Sequence, residues 1–119
     1  MEETLYDIWG RPIAYVAYGN EAIIYMWNGK PVAYLFNDMI YGFNGRHLGW
    51  YLQGVVWNLL GQINGFNQMA ADVWLGALPY KGFKEFLPFK AFREYPHYKP
   101  YFSRTKSNES LSQFLMRGV

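Results

Sequence analysis

The sequence predicts a mainly β protein. It reads as a short, pseudo-four-fold antiparallel barrel of four repeated hairpins, then an extended proline, aromatic and basic tail, then a short C-terminal helix. A column pattern around Gly10, Gly29, Gly45 and Gly61, an aromatic at every third position from Tyr80 to Tyr101, and an apolar segment after Ser110 carry this expectation. Five residues after each glycine stands an aromatic (Tyr15, Tyr34, Trp50, Phe66), and just before it a tiny residue (Ala14, Ala33, Gly49, Gly65). Four residues before each glycine stands another aromatic (Tyr6, Tyr25, Tyr41, Trp57), preceded by an aliphatic (Leu5, Ile24, Ile40, Val56). The glycine spacings are 19, 16 and 16, so five columns keep register through four copies. That is an internal repeat, and it governs the architecture.

Each copy reads as a hairpin. Asn28-Gly29 and Asn44-Gly45 are type I′ turn signals, since both residue types tolerate positive φ. Trp9-Gly10 and Leu60-Gly61 stand at the same register. β-branched and aromatic residues flank every turn, as strands prefer. Gly19-Asn20, Asn37-Asp38, Gln53-Gly54 and Asn67-Gln68 are turn residues between the copies. The predicted strands are 3–8, 11–17, 22–27, 31–36, 39–43, 47–52, 55–59 and 62–67. Closing four equal hairpins on a circle removes exposed edges. Alternation puts Ile23, Tyr25, Trp27, Val32 and Tyr34 on one face and Ile24, Met26, Pro31 and Ala33 on the other. The expected orientation turns the aromatic face inward and leaves the small face to accept a covering segment. The alternative is the reverse, with Ala14, Ala33, Gly49 and Gly65 crowding the axis.

From Tyr80 the tail repeats aromatics every three residues, usually followed by a cation: Lys81, Lys84, Lys90, Arg93 and Lys99. Pro79, Pro88, Pro96 and Pro100 exclude a long α-helix. A period of three fits polyproline II, or short 3₁₀ turns broken by proline. At about 3.1 Å per residue the stripe stretches roughly 65 Å, so it bends round the barrel, breaks into turns or reaches a second subunit. The expected packing lays the rings on the barrel and turns the cations to water. In the competing reading, rings and cations grip single-stranded nucleic acid or an anionic membrane surface. Ser103 to Asn108 reads as a polar linker. Ser110 reads as the N-cap of a short helix through Leu111, Phe114 and Leu115, a C-terminal lid. Residues 1–72 form the repeat unit and 73–119 a tail packed on it, one domain overall.

The segments YDIWGRPIAY, YMWNGKPVAY and YGFNGRHLGW resemble the bacterial 4-fold β-flower family over residues 4–70, and the tail is similar to tails of that family. The resemblance implies a shallow barrel of radially arranged hairpins. The family's biochemical function is unassigned, so it brings no site residues. The stretch from Asp7 to Pro12 more distantly resembles tubby-like and YD-repeat strands. Repeat four departs most, with Gln62 in place of a cation and Asn64 in place of an aliphatic.

Little here reads as chemistry. The chain has no cysteine and two histidines, His47 and His97, fifty residues apart. His47 sits in the column of Pro12 and Pro31 and reads as an incidental strand histidine. Catalytic and phosphate-loop motifs are not found, so neither an enzyme, a metal nor a cofactor is expected. No run of about 18 apolar residues predicts a transmembrane helix. The acidic N-terminus lacks signal-peptide features, and a cytoplasmic location is the expectation. Seven basic groups against Glu85 and Glu94 make residues 79–106 the basic part. The repeat creates one constellation, the column Arg11, Lys30, Arg46 and Gln62, expected around one barrel mouth. There it could hold an anionic or amphipathic ligand such as a lipid head group. The expected function is a non-enzymatic binding or scaffold module. The alternatives are nucleic-acid binding through the tail and a homo-oligomeric structural protein.

Overall fold

The computed structural model describes residues 1–119. Its strands are β1 (Glu2–Asp7), β2 (Pro12–Tyr18), β3 (Ala22–Met26), β4 (Pro31–Phe36), β5 (Met39–Gly42), β6 (His47–Leu52), β7 (Val55–Asn58) and β8 (Ile63–Phe66). Each pairs antiparallel with the next, and β1 closes the barrel on β8 through Tyr6–Phe66 and Asp7–Gly65.

The four glycine turns share one construction. The N–H of Gly10, Gly29, Gly45 and Gly61 donates to the carbonyl of Asp7, Met26, Gly42 and Asn58, at 2.9–3.0 Å. Only the glycine is left-handed, with φ between +77° and +97°. These are therefore type I turns ending in a left-handed glycine, not the type I′ turns the Asn-Gly pairs predict. Asn28 and Asn44 serve as caps instead, their Oδ1 accepting the N–H of Lys30 and Arg46. Asp7 and Asn58 do the same work from three residues before their glycines. The pair with two left-handed residues, Gln53-Gly54, lies between repeats.

Every hairpin carries a β-bulge at the same place. Leu5 pairs with Ala14 and Tyr6 with Pro12, which skips Ile13. Val32, Leu48 and Asn64 are skipped likewise. A bulge inserts one unpaired residue and breaks alternation. This corrects the assignment of Val32 to the aromatic face. Val32 and Leu48 join the core with Ala33, while His47, the counterpart of Pro31, stacks among outer rings.

The barrel interior is the aliphatic face. Leu5, Ala14, Val16, Ile24, Ala33, Ile40 and Val56 come from strands all round the circle and form one cluster with Leu111, Phe114 and Leu115. Those last three belong to α1 (Leu111–Met116), which packs on β2, β4 and β8 and so plugs the barrel. Ser110 caps it in a capping box with Gln113. The small column makes room for the plug: a Cβ on Gly49 would stand 3.0 Å from Phe114, and one on Gly65 3.0 Å from Leu111. The aromatic face therefore points outward, the reverse of the favoured orientation. Eight short strands cannot enclose both a helix and a ring of tyrosines.

The tail wraps the outside of the barrel, and its true period is nine. The N–H of Gly76, Glu85, Glu94 and Ser103 donates to the carbonyl of Gly10, Gly29, Gly45 and Gly61 in turn, at 2.8–2.9 Å. Gly82 and Ala91 add bonds to Trp27 and Phe43; the next position is Pro100, which has no N–H. Ser103 to Asn108 is not a free linker, since Thr105 and Ser107 bond the backbone of Ile63 at the start of β8.

Candidate functional site

The tail's side chains sort by position in the turn of three. Lys81, Lys84, Lys90 and Arg93 lie over the outer rings. The Lys81 and Lys90 ammoniums sit 4.3 Å above Tyr15 and Tyr34, and the Arg93 guanidinium 3.7 Å above Phe36. In the last quarter Phe102 replaces the cation and packs 4.9 Å from Trp57. The cations also end on barrel carboxylates. Glu2 takes both Lys81 (2.5 Å) and Lys84 (2.7 Å), Glu21 takes Lys90, and Asp38 takes Lys99 at 2.8 Å. The two lysines hold the Glu2 carboxyl below its usual range, and Glu2 in turn raises Lys84.

The expected packing of the tail is thus inverted. The rings at Tyr80, Phe83, Phe86, Phe89, Phe92, Tyr95, Tyr98 and Tyr101 are 88–101% exposed. A three-fold extended chain held by its amides shows one row of side chains to the barrel and another to water. The row that finds carboxylates and ring faces is the basic one. Glu2, Glu21 and Asp38 are anchors that the sequence reading does not single out. The signal was Lys81, Lys90 and Lys99 spaced by nine, with Glu85 and Glu94 in step.

The column of Arg11, Lys30, Arg46 and Gln62 surrounds the helix end of the barrel, but no open cup lies between its members, because α1 fills the axis. Arg11 pairs with Asp7 at 2.7 Å. Gln62 Oε1 accepts from Asn58 Nδ2 at 3.1 Å. Lys30 and Arg46 have no carboxylate within ion-pair distance. The column is spread over separate clefts. Arg11 shares one with Trp9 and Ser110. Arg46 shares another with Leu60, Phe114 and the Arg117–Glu109 pair. Lys30 lines a cleft of about 400 Å³ together with Pro31, Phe43, Asn44, Glu85, Phe86, Pro88, Phe89 and Val119.

His47 is not incidental, and His97 is not distant. The buried His47 ring accepts the His97 N–H at Nδ1 (2.9 Å), so Nε2 carries the proton and donates to the Gly49 carbonyl at 3.0 Å. Its backbone N–H donates to Glu94 Oε2 at 2.7 Å. Burial lowers the His47 pKa below the usual imidazole value. With both ring nitrogens committed to backbone, this imidazole fastens the tail and is closed to substrate.

No three His, Asp or Glu side chains come together as a metal would require, and no helix is long and apolar enough to cross a membrane. No curated protein and no solved structure matches the chain. The family model of the 4-fold beta flower protein matches residues 3–115, barrel, tail and plug together, and the chain belongs to that family.

Proposed function

We propose that the protein is a non-enzymatic binding module that takes an amphipathic anion at the cleft lined by Lys30. The observation that carries the reading is a half-buried lysine without an ion-pair partner that lines a largely apolar cleft. Three phenylalanines and two prolines offer contact to a hydrocarbon chain, and the volume falls in the range of small-molecule sites. Glu85 lines the same cleft, so an anionic head group is drawn to Lys30 and repelled by Glu85. Arg11 and Gln62 are already bonded to Asp7 and Asn58, and the unpaired Arg46 opens on a separate cleft beside the Arg117–Glu109 pair, which leaves Lys30 as the column member on the more apolar cleft. Nucleic-acid binding draws less support, because the tail cations a phosphate backbone needs are engaged with barrel carboxylates and rings. A cysteine-free composition is compatible with a reducing, cytoplasmic setting.

Native mass spectrometry and dye displacement with single-chain fatty acids and lysophospholipids test the reading. Lys30→Gln should weaken binding about tenfold, the loss of one charge-assisted contact, whereas Arg11→Gln should not. Wild-type protein that takes up neither amphiphile, or a Lys30→Gln variant with unchanged affinity, sinks the idea.

A further inference from the structure

We propose that the outward ring stripe of the tail is a self-association surface that receives the same stripe of a second copy of this chain. Eight rings between Tyr80 and Tyr101 stand nearly free of the rest of the molecule. A monomer's largest apolar patch is usually about 300–600 Å². Each buried ring supplies about 150–250 Å², so four rings already give the roughly 800 Å² per partner of a stable interface.

Charge selects the partner. The four lysines interleaved with the rings are drawn back onto Glu2, Glu21 and Asp38, and Arg93 onto the Phe36 ring, so the aromatic row itself carries no charge. An anionic bilayer or a nucleic acid finds no countercharge on it, while two such rows meet without repulsion.

Spacing makes the row self-complementary. Rings three residues apart on an extended chain stand about 9 Å apart. A ring from a second row, seated midway, lies about 4.7 Å from each neighbour, inside the centroid range of aromatic pairs. The arm is also ordered beforehand, because its amides are bonded to the hairpin turns. Association then has only two torsions per ring left to fix.

Sedimentation velocity and native mass spectrometry of the full chain, at rising concentration and in low and high salt, test the proposal. The matched variant is Phe83→Ser, Phe92→Ser, Tyr95→Ser and Tyr98→Ser together, none of which lines the Lys30 cleft. Amphiphile binding there is therefore read separately from subunit number. Wild type should associate with concentration and resist salt. The variant should associate at least about 100-fold more weakly, with its circular dichroism unchanged. Should it fail to fold, the pair Tyr95→Ser, Tyr98→Ser alone must still weaken association. Wild type that stays monomeric at its solubility limit overturns the proposal, as does a folded variant that associates equally. Monomeric wild type that binds neutral phosphatidylcholine vesicles through these rings also overturns it, since the occupant is then a bilayer.

Discussion

At His47 one side chain ties the tail backbone at His97 to β6 at Gly49, and its protonation state decides whether it can. A charged imidazole would bring a second N–H against the N–H of His97. Desolvation by burial, followed in size by an opposing hydrogen bond donated to the Gly49 carbonyl and by the neighbouring groups His97, Glu94 and Asp38, leaves the folded pKa below the usual imidazole value. A depressed pKa gives stability that is complete above the unfolded value and lost as pH falls through the folded one. The melting temperature should therefore fall below about pH 6.5, and His47→Gln should flatten that fall. A wild-type profile no steeper than the variant's would exclude the role. Gly45 makes the second residue-scale case. It is left-handed, and a Cβ there would lie 2.1 Å from the Phe92 carbonyl oxygen. Gly45→Ala should cost at least about 2 kcal/mol in urea unfolding, combining backbone strain with a displaced tail. Sequence could name this glycine as a turn residue. It could not show that the same hydrogen also admits the Phe92 carbonyl from the tail.

Among the elements, the hairpins were legible because turn chemistry and five columns recur in phase. The inward face was not, since both faces are apolar: one packs on α1 and the other on the tail. Nor was the bulge, because Ile13 and Val32 read as ordinary strand residues. The tail was half legible. Its ring period of three hides the period of nine in Lys81, Lys90 and Lys99. The two periods can be separated. Deleting residues 86–88 keeps the ring stripe but moves every later residue three places out of step with the turns. Hydrogen exchange should then show the Glu94 and Ser103 amides, now bonded to Gly45 and Gly61, losing protection. Retained protection would mean the nine-residue match is not needed. For the plug, Phe114 is 1% exposed at the core centre, and Phe114→Ala should cost about 3–5 kcal/mol by denaturant titration. The candidate site was least legible of all. The column at Lys30 was visible, but the cleft comes from Phe86 and Phe89, which only the wrapped tail brings there.

As a whole the molecule is a disc, with extents of 38 × 36 × 23 Å. Nine extended residues span about 28 Å, so the three intervals from Gly76 to Ser103 span about 84 Å, three quarters of a circle about 36 Å across. The tail thus matches the rim it follows, one interval from each turn to the next. It covers the outer tyrosines while α1 covers the inner face, so no barrel surface is independent of residues 73–119. Protein truncated after residue 72 should be insoluble or molten, seen as strong dye binding and lost near-ultraviolet dichroism. A soluble, cooperative truncated form would show that the barrel stands alone.

The rim also constrains how such a protein can be inherited. Each petal is encoded twice, once as a hairpin and once, far downstream, as nine residues of strap. Duplicating the DNA of a hairpin alone yields a wider flower with too short a binding, and duplicating a strap unit alone yields slack. Petal number in this lineage can change only through paired events at two separate places in the gene, so most single duplications should be lost and four should persist.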